Sequence, residues 1–295
     1  MKRIKNIVAL ITPFKENGAI DYLGFGKFLS YLVDKSPDGL FANATTGEFT
    51  NLSLKEKKEV AVFVKENSKS VPVYVNVHST VFEETLEMCR FAKEMNFYAI
   101  VSPPPFFLVP SEKGLYNYFI KIAETSTLPT FIYNIPVLTG YSLSVELIKE
   151  LAKHPLIKGI KVTYDNMGYF VRLINEVKSV KQEFEIFTGT EQLYIPLILT
   201  GGDGGVMALA NIALDIFNEV KAAFNNGDLE KVVSLQKKIS RLTNIYSLTT
   251  SFGYAIKVAL GFMNIPIERY VRKPLMEDAF DEEEFKRILE EVGLI

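Results

Sequence analysis

Lys161 closes the run Leu156-Ile157-Lys158-Gly159-Ile160-Lys161-Val162, which puts a primary amine at the end of an apolar, β-branched stretch. Half buried at a strand tip, with no carboxylate adjacent in sequence, such an amine is disfavoured as ammonium and can attack a carbonyl. Two hydroxyl-bearing clusters follow similar runs. Thr45-Thr46-Gly47-Glu48 comes after Gly39-Leu40-Phe41, and Tyr133-Asn134-Ile135-Pro136 comes after Pro129-Thr130-Phe131-Ile132. An amine and several hydroxyls at strand ends point to one site on one face of a barrel. Alone, Lys161 would read as a surface lysine reaching for solvent, since lysines rarely stay buried. Its company singles it out.

The elements that must hold these groups alternate along the chain. Strand-like and helical patterns pair as Ile7–Ile11 with Tyr22–Val33, Gly39–Ala42 with Ser53–Glu66, Val71–Val77 with Glu83–Met95, and Tyr98–Val101 with Glu112–Thr125. Four more pairs follow: Thr130–Tyr133 with Ser144–Ala152, Ile157–Val162 with Met167–Val177, Phe184–Phe187 with Gln192–Leu199, and Gly205–Ala208 with Ile212–Asn225. Eight short apolar strands, each followed by a helix, predict an α/β fold of the (β/α)₈ TIM-barrel type over residues 1–226. An open doubly wound sheet is the competing arrangement. Beyond the stop and cap of Gly227-Asp228, Leu229–Thr243, Tyr254–Phe262 and Glu282–Glu291 read as a three-helix extension over residues 227–295, with Asp281-Glu282-Glu283-Glu284 at a helix start.

Composition narrows the class. The 295 residues are 48% hydrophobic with a formal net charge of −2, and no basic arm or stripe invites nucleic acid. A single cysteine, Cys89, rules out a disulfide framework and fits a reducing, cytoplasmic setting. The apolar run behind Met1-Lys2-Arg3 ends at Thr12-Pro13, too short for a signal peptide or a membrane span.

Barrel chemistry sits where strands end and βα loops begin, which selects Thr45, Thr46, His78, Tyr133, Lys161, Gly189 and Asn211. His154 precedes a strand and falls on the opposite face, so the two histidines cannot share a metal; neither metal nor cofactor is expected. His78 reads as a polar loop residue. Cys89, in the helical run Glu84-Thr85-Leu86-Glu87-Met88-Cys89-Arg90, reads as a packed thiol. Gly201-Gly202-Asp203-Gly204-Gly205 precedes a strand and lacks the dinucleotide spacing, so it reads as a tight turn.

Thr45-Thr46-Gly47-Glu48, Tyr133-Asn134-Ile135-Pro136, Gly159-Ile160-Lys161, and Gly202-Asp203-Gly204-Gly205-Val206 with Asn211 occur in order. Together they resemble the dihydrodipicolinate synthase / N-acetylneuraminate lyase superfamily of pyruvate-dependent class I aldolases, over nearly the whole chain. The resemblance implies that Lys161 forms a Schiff base with a 2-keto acid, that Tyr133 shuttles the proton, and that Thr45 orients its phenol. It implies that Thr46 holds the carboxylate through its hydroxyl and backbone N–H, and that Val206 approaches through its carbonyl, which would explain the glycine-rich turn before it. Gly47 and Gly189 complete the substrate-binding set. Relatives of this kind are usually tetramers built from two tight dimers, so a homotetramer is expected.

Departures from the pattern bear on substrate. Dihydrodipicolinate synthases continue the tyrosine motif with Gly-Arg-Thr, the arginine holding the carboxylate of the aldehyde. Here the continuation is Val137-Leu138-Thr139-Gly140, without a cation. Tyr-Asn-x-Pro-x-Leu-(Ser/Thr)-Gly is instead similar to sialate lyases and 2-keto-3-deoxygluconate aldolases, and Gly47-Glu48-Phe49 with Gly159-Ile160-Lys161-x-Thr163 leans towards the latter. Many relatives also place a relay tyrosine, shared with the neighbouring subunit's site, where this chain has Phe107, which has no hydroxyl. The expected activity is cleavage of a 2-keto-3-deoxy sugar acid to pyruvate and an aldehyde. Dihydrodipicolinate synthesis, sialate cleavage, sugar-acid dehydration and non-catalytic keto-acid binding stay open as alternatives.

Overall fold

The computed structural model describes residues 4–295. Eight short strands pair in chain order and close on themselves: β1 Lys5–Ala9, β2 Gly39–Ala42, β3 Val73–Asn76, β4 Ala99–Ser102, β5 Thr130–Asn134, β6 Ile157–Val162, β7 Glu185–Thr188 and β8 Gly204–Met207. The result is a closed parallel (β/α)₈ barrel. The strands are buried on both faces, as their continuous apolar runs require, and do not alternate inside and outside.

The helices around and after the barrel strands are α1 Tyr22–Asp34, α2 Leu54–Asn67, α3 Phe82–Glu94, α4 Glu112–Ser126, α5 Pro136–Thr139 and α6 Val145–Ala152. They continue as α7 Met167–Arg172, α8 Tyr194–Thr200, α9 Ala210–Asn225, α10 Leu229–Leu242, α11 Phe252–Phe262 and α12 Glu282–Val292. Several starts carry side-chain caps. Ser53 and Glu56 form a capping box on α2, and Asp228 and Asp281 accept the N–H groups of Lys231 and Glu284 to open α10 and α12. Among the described residues no helix is long and apolar enough to cross a membrane.

The described residues form two compact units. One comprises Asn6–Pro72 and Met207–Ile295; its core is built on Phe14, Phe25, Phe28, Phe41, Phe217 and Phe285. The other comprises Val73–Val206 with residues 4 and 5, and packs Phe119, Phe170, Phe184, Phe187 and Tyr194. Cys89 is buried on α3, and burial pushes its thiol up to about 12, so it is a packed apolar group at neutral pH.

The glycine-rich stretch before Val206 differs from its expected role as a turn. Gly204 and Gly205 belong to β8 itself. Gly204 has φ +128°, and a Cβ there would stand 2.1 Å from the carbonyl oxygen of Lys5. Asp203 receives the Lys5 N–H at 2.9 Å through its own carbonyl, and its carboxylate takes the Lys178 ammonium and the Ile186 N–H at 2.7 and 2.8 Å. These glycines let backbone approach backbone; room for a ligand is not what they supply.

Candidate active site

Lys161 and Tyr133 are direct register partners on β6 and β5. Their side chains are 6% and 2% exposed, and the Lys161 Nζ stands 4.2 Å from the centre of the Tyr133 ring. Two residues on, the Thr163 hydroxyl donates to the Tyr133 phenol oxygen at 3.4 Å, and its N–H donates to the Asn134 carbonyl at 2.9 Å. Amine, phenol and hydroxyl are thus gathered at neighbouring strand ends within the second unit.

Two glycines make this possible. A Cβ on Gly189 would stand 2.2 Å from Thr163 Oγ1 and 2.7 Å from Lys161 Cε, so only glycine leaves the lysine stem and the threonine in place. Gly159 is equally constrained: its Cβ would meet the Glu185 carbonyl at 2.4 Å and the Phe131 ring at 2.6 Å. The motif glycine before the lysine therefore lets β6 lie between its neighbours.

The tyrosine loop folds back through side-chain bonds. Asn134 donates to the Ser142 hydroxyl at 3.1 Å and accepts the Leu143 N–H at 3.2 Å. Pro136 opens the short α5, Gly140 ends it at φ +83°, and Thr139 donates back to the Ile135 carbonyl at 3.0 Å. The turn leaves Val137 and Leu138 75% and 52% exposed, so the place expected for a cation presents aliphatic surface. Val206, 6% exposed, lies on β8 of the same unit.

In the first unit, Thr45 and Thr46 follow β2, with Thr46 buried. Gly47 is there for space: its Cβ would stand 2.8 Å from the Leu10 carbonyl and 2.9 Å from Thr12 Oγ1. Sequence reasoning missed what lies beneath this loop. Lys257, fully buried on α11, reaches the Glu48 carboxylate at 2.7 Å. The signal was present, since Ala255-Ile256-Lys257-Val258-Ala259-Leu260 carries one lysine in an otherwise apolar helix.

Two other strand-end candidates have structural duties. Asn211 donates to the carbonyls of Ala9 and Ala208, both at 2.7 Å, and accepts the Ile11 N–H at 3.3 Å, tying β1 to the start of α9. His78 is not a surface loop residue. It is buried, lies against Phe106 and bonds the Tyr118 hydroxyl at 3.1 Å, which in turn meets Ser102 at 2.7 Å. A cavity of about 570 Å³ beside α3 and α4, lined by His78, Phe82, Phe106, Tyr118 and Lys121, does not include Lys161 or Tyr133. Among the described residues no cluster of three or more His, Cys, Asp or Glu side chains is placed to share a metal ion.

Comparison with known proteins decides the family. The profile of the Dihydrodipicolinate synthetase family matches residues 2–292. The chain belongs to the dihydrodipicolinate synthetase family. It is 37% identical over 288 residues to an uncharacterized DapA-like lyase of Pyrococcus horikoshii, covering 97% of this chain and 99% of that protein. It is 32% identical over 282 residues to a probable 2-dehydro-3-deoxy-D-pentonate aldolase, YjhH, of Escherichia coli, covering 94% and 93%. The crystal structure of YagE from Escherichia coli K12 in complex with pyruvate superposes with a TM-score of 0.93 at 29% identity, covering 99% of each chain. Membership of the dihydrodipicolinate synthetase family places the chain among lyases and aldolases. Because relatives of differently named activities share the barrel, the side chains around Lys161 must decide the substrate.

Proposed function

We propose that the protein is a class I aldolase that cleaves 2-keto-3-deoxy sugar acids reversibly to pyruvate and an aldehyde through an imine on Lys161. The observation that carries this is the buried amine held over the Tyr133 ring with the Thr163 hydroxyl beside the phenol. The amine adds to the C2 carbonyl and water leaves, giving a protonated imine. Tyr133 relays that proton, then takes the proton of the C4 hydroxyl as the C3–C4 bond breaks. The bonding electrons enter the iminium and form an enamine, and the aldehyde departs. Reprotonation at C3 and hydrolysis by water release pyruvate and restore the amine. Thr45 is assigned to orienting the phenol, Thr46 to the substrate carboxylate, and Gly47, Gly189 and the Val206 carbonyl to shaping the keto-acid pocket. A relative's complex with pyruvate supports the same keto acid here.

The aliphatic surface at Val137 and Leu138 favours a neutral, hydroxylated aldehyde over an acidic one. Pyruvate should condense with glyceraldehyde roughly ten- to a hundredfold faster than with aspartate semialdehyde, since a missing charge-assisted pair is worth about 1.5–3 kcal/mol. Initial rates across a panel of aldehydes check this. A preference for the semialdehyde would move the chain to dihydrodipicolinate synthesis.

Assembly follows from one exposed strip. Phe107, Leu108 and Val109 are 94%, 79% and 60% exposed in the single chain, and Phe107 is held at φ +72°, an unusual conformation for an aromatic residue. We assign this strip to a subunit interface of a homotetramer. Light scattering at micromolar concentration should give a multiple of the 33.3 kDa chain mass, and a monomer would count against the assignment.

A further inference from the structure

The loop that carries Thr45 and Thr46 is fixed from below by the C-terminal helices. Glu48 sits in the left-handed region at φ 57°, ψ 39°, a conformation that a glutamate holds only under outside constraint. Both of its carboxylate oxygens are engaged. Oε1 accepts the Lys257 ammonium at 2.7 Å and Oε2 accepts the Arg272 backbone N–H at 2.9 Å. Lys257 is fully buried, donates also to the Tyr270 carbonyl at 2.8 Å, and stands 4.5 Å from the Phe14 ring centre.

The Arg272 guanidinium completes the strap. It donates to the carbonyls of Gly18 and Asn51 at 2.6 and 2.9 Å and pairs with Glu56 at the start of α2. The first turn of α11 also presses on the loop directly: a Cβ on Gly253 would stand 2.6 Å from the Thr46 carbonyl oxygen. Burial draws the Lys257 ammonium down from the usual lysine range while Glu48 opposes it, so the pair is maintained against desolvation. A buried pair of this kind is weak evidence for stability alone. Both Glu48 oxygens being spent on the protein, the carboxylate cannot serve as a general base or a ligand. What the pair does hold is the backbone one and two residues behind it.

We infer that the Lys257–Glu48 pair, seated on α11, is a positioning device that sets the Thr46 backbone N–H and hydroxyl for the carboxylate of the keto acid. The inference rests on the assignment of Thr46 to that carboxylate under the proposed aldolase chemistry. It gives the C-terminal helices a part in substrate binding. It also separates binding from chemistry, because Lys161 and Tyr133 are built on other elements.

The test is borohydride trapping as a function of pyruvate concentration on the full-length protein, comparing the parent with Glu48→Gln, Lys257→Met and Gly253→Ala. Gly253→Ala leaves every charge in place and displaces Thr46 from the helix side, so it reports even where an unpaired buried charge prevents folding. Thermal melting selects the variants that remain folded. In these, the half-saturating pyruvate concentration should rise about tenfold or more, while the yield of Lys161 adduct at saturation stays within about twofold of the parent. Unchanged half-saturation in a folded variant overturns the inference, as does loss of saturating yield in step with melting temperature, which is the mark of a purely structural pair. A parent that forms no adduct at Lys161 at any pyruvate concentration overturns the proposed chemistry itself, a separate outcome.

Discussion

Lys161→Ala should lower the turnover of a 2-keto-3-deoxy sugar acid by at least about 10⁴-fold, with far-UV circular dichroism like that of the parent. The size follows from the amine's role. Without it no iminium forms, and the C3–C4 electrons have no sink; positioning by the remaining groups cannot replace a covalent intermediate. Folding should survive because the substitution chiefly removes an amine from above the Tyr133 ring, a placement worth about 0.5–1 kcal/mol in a partly wet setting. Steady-state kinetics with the best substrate from the aldehyde panel make the measurement. Retention of more than a few per cent of parental kcat would remove Lys161 from the reaction.

Tyr133→Phe has the second-largest expected effect. The ring would still pack at 2% exposure beside β6, so keto-acid affinity should stay nearly intact. The phenol proton is gone, and kcat should fall by about a hundredfold or more. Phe107 bears on the same step from another direction, since it offers no hydroxyl where many relatives have one. If the relay is impaired by that ring, Phe107→Tyr should raise kcat in the assembled protein. A keto-acid-binding protein without turnover is the reading that Phe107 favours, and it makes a different prediction: adduct formation on Lys161, no cleavage of any substrate, and no response to either substitution. Equal rates for the parent and Tyr133→Phe would take Tyr133 out of the mechanism.

The barrel was legible because its strands are buried on both faces, so each appears as a short unbroken apolar run followed by a helical pattern. Boundaries were less legible, since apolar runs report burial and not backbone pairing. Leu10 and Ile11 are buried yet lie past β1, which starts two residues earlier than the run indicates, at Lys5. The stretch expected as one helix from Met167 to Val177 divides into α7 and a π-helical turn, Leu173–Val177, for which composition carries no signal. The short α5 was hidden behind Pro136, a residue as common in a loop as at the first position of a helix.

Within the site, chemistry showed in the sequence and support did not. Lys161 and Tyr133 stood out by residue type at strand ends. Glu48 and Lys257 are 209 residues apart, and nothing local to either residue names its partner. The glycines show the same limit. Gly189 is marked by its place at a strand end, but its reason, room for Lys161 Cε and Thr163, exists only in three dimensions. Gly204 reads as part of a turn and proves to be a close backbone approach to Lys5.

The covalent step on Lys161 is tested most directly by incubating the protein with pyruvate and sodium borohydride and mapping the modified peptide by mass spectrometry. Reduction fixes only an imine, so a reduced pyruvyl group should be found on Lys161 and be absent from Lys161→Ala. A label on a different lysine, or none on the parent protein at saturating pyruvate, would contradict the account.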